Sequence, residues 1–140
     1  MTPQTIALVQ TSFAKVAPIA DLAADIFYDK LFAIAPEVRP LFPEDMVEQK
    51  KKLMQMLALA VQNLDRFEEI KSAVADLGAR HVGYGVEDAH YDAVGEALLG
   101  TLEAGLGPSW SPELYAAWAE TYTILATVMK HAAAEERLAS

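Results

Sequence analysis

The stretch "ARHVGYGVEDAHYDAVGEALL", Ala79 to Leu99, decides the reading of this chain. It carries two of the three histidines in a sequence that has no cysteine. His81 follows Leu77 by one helical turn, which puts it on the inward face at a helix end, before the Gly83-Tyr84-Gly85 break. An imidazolium at a helix C-terminus gains about 0.3–1 kcal/mol, so His81 reads either as a cap or as a ligand. Beyond the break, a helix starting near Glu87 carries Tyr91, Val94, Leu98, Leu102 and Leu106. Tyr91 fits the buried stripe or an exposed first turn. Glu87-Asp88-Ala89-His90 matches the Glu-x-x-His motif of di-iron bundles, which need that motif twice. Gly78 and Val128 stand three residues before His81 and His131, so there is no second motif.

Working outward, apolar spacing is helical almost everywhere and nowhere alternates with period two. Thr2 can cap a first helix with Pro3 in its first turn and Ile6, Val9, Gln10 and Phe13 along it. Pro18 opens a second helix bearing Ile19, Leu22, Ile26, Phe27 and Leu31. "APEVRPLFPED" then places Pro36, Pro40 and Pro43 in one short, stiff turn, because each proline fixes its own φ and restricts its predecessor. A third helix runs from about Asp45 to Asn63 with Gln49, Leu53, Met56, Leu57 and Ala60 on one stripe, and a fourth from about Arg66 to Arg80. Ser111 caps the last helix and Pro112 begins it; Leu114, Trp118, Tyr122, Leu125 and Met129 follow, and the alanine-rich tail is expected to fray. Six long helices and one short one make the fold all-α, in a single domain over residues 1–140.

Composition narrows the function. Apolar residues are 53% of the chain, enough for a buried core, and a net charge of −9 argues against nucleic acid or an anionic membrane as partner. Lys50-Lys51-Lys52 beside Glu48 reads as a solvated helix face. Zero cysteine excludes disulfides, thiolate metal sites and thioether-attached haem. The N-terminus shows no secretory pattern, and no apolar run approaches the ~20 residues of a membrane span. A cytoplasmic protein is expected. Neither a Gly-x-Ser-x-Gly elbow, a His-Glu-x-x-His helix nor a phosphate loop is present.

Polar residues on apolar stripes hold the remaining information. Tyr28 sits between Phe27 and Leu31, where a buried phenol commonly bonds a carbonyl. Gln49 heads the third helix's stripe and reads as an exposed first turn or as a buried amide, which costs about 1–3 kcal/mol without partners.

Together these segments resemble a globin, of the haemoglobin-like kind found alone in bacteria or at the front of flavohaemoglobins. "FYDKLFAIAPEVRPLF" resembles that family's second helix and corner, with Tyr28 at the distal tyrosine and Phe42 at the phenylalanine wedged against haem. "EQKKKLMQML" resembles the distal helix, with Gln49 at the distal glutamine and Leu53 one turn on. The opening stretch resembles the iron-ligand segment, with His81 as proximal ligand and Tyr91 behind it, and "AWAETYTILATVM" resembles the last helix. The resemblance covers the whole chain. Only seven positions separate Phe42 from Gln49, a short corner.

What the resemblance implies is a haem b protein binding dioxygen reversibly at a five-coordinate ferrous iron. His81 would hold the metal, and Tyr28 and Gln49 would donate to the partial negative charge on dioxygen, favouring it over carbon monoxide and slowing its release. Phe27, Phe42, Leu53, Val86, Val94, Leu125 and Met129 would wall the pocket, and Arg80 would meet a propionate. The family also carries a tyrosine–glutamate cluster behind the proximal histidine; the tyrosine is Tyr91, but the glutamate's place falls on Ala133, with Glu135 and Glu136 half a turn or more away. Oxygen binding or transport is the expected role. Nitric oxide dioxygenation with a separate reductase and gas sensing through a partner protein are the competing ones; no flavin or nicotinamide domain is expected after residue 140. A monomer or homodimer is expected.

Overall fold

Local chemistry starts the first helix. Thr2 Oγ1 accepts the Thr5 N–H at 3.1 Å with Pro3 in the first turn, so α1 runs Pro3–Val16. The computed structural model describes residues 1–139. After α1 come α2 (Ala20–Ile34), α3 (Val47–Gln62), α4 (Phe67–Gly83), α5 (Asp88–Leu106) and α6 (Pro112–Ala139), with short 3₁₀ turns between most of them. No strand occurs among the described residues.

Several boundaries differ from the sequence expectation for identifiable reasons. Pro18 does not open α2; it lies inside a 3₁₀ turn, Ala17–Ile19, that tightens where proline denies the helix an N–H, and α2 resumes at Ala20. Asp45 stays outside α3, its carboxylate accepting the Val47 N–H at 3.0 Å. The fourth helix continues past Arg80 to Gly83, so His81 stands within the last turn instead of at its end. The alanine-rich tail does not fray: α6 is helical to Ala139, since alanine is the strongest helix former and Ala126 and Ala133 are buried on its inner face.

Helix pairs α4–α6 and α2–α5 make the most extensive contacts, and α1 lies along α6. Val9, Phe13 and Val16 of α1 meet Phe27 and Leu31 of α2, Leu98 and Leu102 of α5, and Trp118 of α6 in one core. Each large apolar side chain buried there contributes about 1.5–3 kcal/mol. The Trp118 indole N–H is satisfied by Ser12 Oγ at 2.9 Å, which couples α6 to α1 inside this core. Taken together, Pro3–Ile34 is long and apolar enough to cross a membrane by length and composition, contrary to the expectation from sequence. Pro18 interrupts it; its Val9, Phe13, Phe27 and Leu31 are at most 7% exposed within this core, while 28% of its apolar window as a whole is buried.

A second small cluster joins Ala60 of α3 to Ile70 and Val74 of α4, with Leu125 and Met129 of α6 against it. Gly78 of α4 is buried where it passes the main chain of Met129. His81 follows one turn on along the same helix and is half-buried.

Candidate functional site

A cavity of about 210 Å³ opens among α2, α3, α4, α5 and α6. Of the expected wall residues, Phe27, Phe42, Leu53, Val86, Val94, Leu125 and Met129 all line it, as do Tyr28, His81 and Tyr91. Leu31, Met56, Leu57, Ala60 and Leu98, whose stripes marked them as core without separating cavity from packing, add to the apolar surface, together with Val38, Leu41, Val74 and Leu77. Gln49 and Arg80 are outside the wall. Arg80 is exposed, its Nε bonded back to the Asp76 carbonyl at 3.4 Å.

His81 arrives by helical register and is held by its own helix. Its Nδ1 lies 2.6 Å from the Leu77 carbonyl, a bond that requires the proton on Nδ1 and leaves the Nε2 lone pair available. Burial lowers the His81 pKa from the ordinary imidazole value; the Leu77 bond opposes that shift, and neighbouring Arg80 adds to it. The ring is therefore neutral at pH 7. An exposed Tyr84 ring stands edge-on to it, with centroids 5.5 Å apart.

On α2, Tyr28 is 4% exposed and packs edge-to-face on Phe27 at 5.0 Å and Phe42 at 5.5 Å. The Gln49 amide donates to its hydroxyl oxygen at 3.2 Å. The phenolic proton is then free for a third atom. Burial raises the Tyr28 pKa, with the Gln49 bond partly offsetting, so the hydroxyl remains a donor across the physiological range. Sequence reasoning placed both groups at the ligand; in the structure Tyr28 lines the cavity, and Gln49, outside its wall, bonds the Tyr28 hydroxyl.

The third polar group is Tyr91. Its hydroxyl is buried and has no hydrogen-bond partner among the described residues. Glu135 and Glu136 are exposed, and Glu135 instead stands 3.9 Å from His131, so neither closes the cluster implied behind the histidine. Tyr122, unassigned from sequence, also lines the wall; its hydroxyl donates to the Tyr91 carbonyl at 2.6 Å and its ring covers Gly95, where a Cβ would be 2.7 Å away. An orphaned buried hydroxyl carries a desolvation cost of about 1–3 kcal/mol. Tyr91→Phe is accordingly expected to leave thermal stability unchanged or to raise it by up to about 1 kcal/mol, read from denaturant midpoints. A clear loss would reveal a partner for that oxygen. His90, also on the wall, uses Nδ1 to accept the Glu87 N–H at 3.0 Å at the start of α5. His131 is exposed, and no group of three or more metal-ligating side chains occurs among the described residues.

The globin family model matches residues 25–129, most of the chain and all of the cavity wall. The chain belongs to the globin family. Haem-based gas binding follows from that membership. Among relatives, a flavohemoprotein of Xylella fastidiosa is 30% identical over 135 residues, 92% of this chain, and an uncharacterized globin-like protein of Aquifex aeolicus is 34% identical over 102 residues. The alignment takes in 33% of the flavohemoprotein and 72% of the Aquifex protein. Among solved structures, an engineered carbene transferase from Rhodothermus marinus superposes with a TM-score of 0.89 at 27% identity, covering 99% of this globin and 97% of that chain. Its assignment as a nitric oxide dioxygenase is provisional. A globin of Campylobacter jejuni shares the fold, with a TM-score of 0.84 at 24% identity over 96% of this chain and 97% of that one.

The residues fit a haem. The wall is apolar almost throughout, as a porphyrin face requires, and it presents the His81 imidazole, whose Nδ1 bond to the Leu77 carbonyl leaves the Nε2 lone pair available, whereas the His90 Nδ1 accepts the Glu87 N–H.

Proposed function

We propose that this globin holds haem b through His81 Nε2 and binds dioxygen reversibly, with Tyr28 as the principal hydrogen-bond donor. The carrying observation is that a neutral imidazole and a phenol with an uncommitted proton line one apolar cavity. Non-covalent haem is supported by the absence of cysteine, which leaves no thioether linkage to the protein. A ferrous haem iron held there would supply the binding chemistry for a diatomic gas. His81 is kept in one tautomer by the Leu77 carbonyl, a neutral acceptor that leaves the imidazole a moderate electron donor. Tyr28 presents its proton to a partly negative ligand atom, and the Gln49 amide polarises that hydroxyl from behind. The apolar wall keeps competing water away from both.

Absorption spectra of the purified protein, reduced and then exposed to carbon monoxide, test haem content and coordination number together. Dioxygen release tests the donor. Tyr28→Phe is expected to raise the off-rate roughly tenfold, the equivalent of ~1.4 kcal/mol. Gln49→Leu is expected to raise it only about twofold to threefold, and to add little in the Tyr28→Phe background, because its amide acts through the tyrosine oxygen. A larger effect from Gln49 than from Tyr28 would reverse that order.

A second reading, nitric oxide dioxygenation, is favoured by the likeness to the Rhodothermus protein. There nitric oxide, dioxygen and one electron give nitrate, so a reductase must supply the electron for each turnover. Sustained nitric oxide consumption in the presence of a cellular reductase supports it; a single stoichiometric burst returns the assignment to oxygen binding.

A further inference from the structure

Arg39 lies outside the cavity wall, and the haem reading makes no use of it. It is half-buried in the 3₁₀ turn Pro36–Leu41, and its guanidinium reaches forward along the chain. Nη1 donates to the Phe42 carbonyl at 3.3 Å and to the Pro43 carbonyl at 3.0 Å, and Nη2 donates to the Glu44 carbonyl at 3.3 Å. The guanidinium carbon also stands 5.1 Å from the centre of the Phe32 ring on α2. One planar fork thus collects three successive carbonyls while resting on the preceding helix, a task for which a lysine ammonium has the charge but not the shape.

Those carbonyls belong to the corner between the turn and α3. Residues 42–46 are not helical, and Pro43 has no N–H to give. What hangs on this corner is the Tyr28 side of the cavity. Phe42 is a wall residue whose ring meets Tyr28 at 5.5 Å and Phe32 at 5.6 Å, and α3, beginning at Val47, brings in the Gln49 amide. Releasing the corner frees Phe42 and the first turn of α3 together.

We propose that Arg39 is a positioning residue: by gripping the carbonyls of Phe42, Pro43 and Glu44 it keeps Phe42 and Gln49 in register with Tyr28, and so governs how often this side of the cavity opens. The functional consequence rests on the haem and gas reading above, whereas the grip itself is measurable without a gas. Amide hydrogen exchange reads it directly on the haem-loaded protein. Arg39→Met is expected to speed exchange of the bonded amides in residues 42–50, those of Phe42, Val47 and Lys50, about tenfold or more, and Arg39→Lys to reproduce most of that change, with the α4 and α5 amides unaffected. Dioxygen release from Arg39→Lys is expected to rise about threefold in the otherwise native protein and not at all in the Tyr28→Phe background, which a general loss of stability would not reproduce. Unchanged exchange at 42–50 in the lysine variant overturns the grip, and that variant carries the test if Arg39→Met does not fold. Faster exchange with an unaltered off-rate, or the same off-rate change with and without the Tyr28 hydroxyl, overturns the positioning role. A purified chain that takes up no haem defeats the haem reading instead, and exchange on that chain still decides the grip.

Discussion

Replacing His81 with alanine is expected to abolish stable haem retention, lowering affinity by more than about 100-fold, because even losing an outer-shell partner of a metal ligand typically costs 10–100-fold. The cavity wall is apolar and would still attract a porphyrin, so loose, non-specific uptake is expected to persist without the five-coordinate ferrous spectrum. Added imidazole should restore that spectrum by entering the space the side chain vacates. His90→Ala is the matched control, since His90 lines the same cavity but commits Nδ1 to the Glu87 N–H. Its loss removes a helix-start bond worth about 0.5–1 kcal/mol and should leave haem spectra alone. An unaltered spectrum in His81→Ala, or a lost one in His90→Ala, would move the metal to a different imidazole.

The second large effect comes from a residue with no chemistry of its own. A Cβ on Gly78 would run into the Met129 carbonyl and Cα, both main-chain atoms that no rotamer change can move aside. Gly78→Ala gains about 1 kcal/mol of helix propensity and loses more, since α4 must lift from α6 over the whole length of their contact. A net destabilisation of about 2–3 kcal/mol is expected, or a fall of roughly 5–10 °C in Tm, with faster haem loss because His81 rides one turn further along the same helix. Gly83→Ala separates this from a general glycine effect. A Cβ there meets nothing within 4 Å and the residue is still helical, so that variant should be neutral or slightly stabilising. Equal losses at both positions would refute the close-approach argument.

These two glycines show what could be read in advance. Gly78 was visible only as the wrong residue for a second Glu-x-x-His motif; that it faces the Met129 main chain depends on how two helices some fifty residues apart cross. His81 was visible as an inward-facing histidine, and resemblance made it a ligand, yet the Leu77 bond that sets its tautomer needed the extra turn of α4 that the boundary at Arg80 had left out. Tyr28 and Gln49 were both legible as polar residues on apolar stripes. The bond between them was not, because 21 positions of chain, including a non-helical corner, separate them.

Taken alone, the amino-acid order determined the helices, their caps at Thr2 and Ser111, the apolar faces and the short list of polar residues that had no reason to be on them. Those are local properties, set by 3.6-residue periodicity and by bonds between residues three or four apart. Tertiary structure alone decided that Gln49 bonds the Tyr28 hydroxyl, that Tyr122 bonds the Tyr91 carbonyl and that the Tyr91 hydroxyl is left without a partner among the described residues. A hydrogen bond is lost within a few tenths of an ångström or some tens of degrees. Which groups satisfy one another therefore depends on how helices far apart in sequence are seated, and no short stretch of chain carries that information.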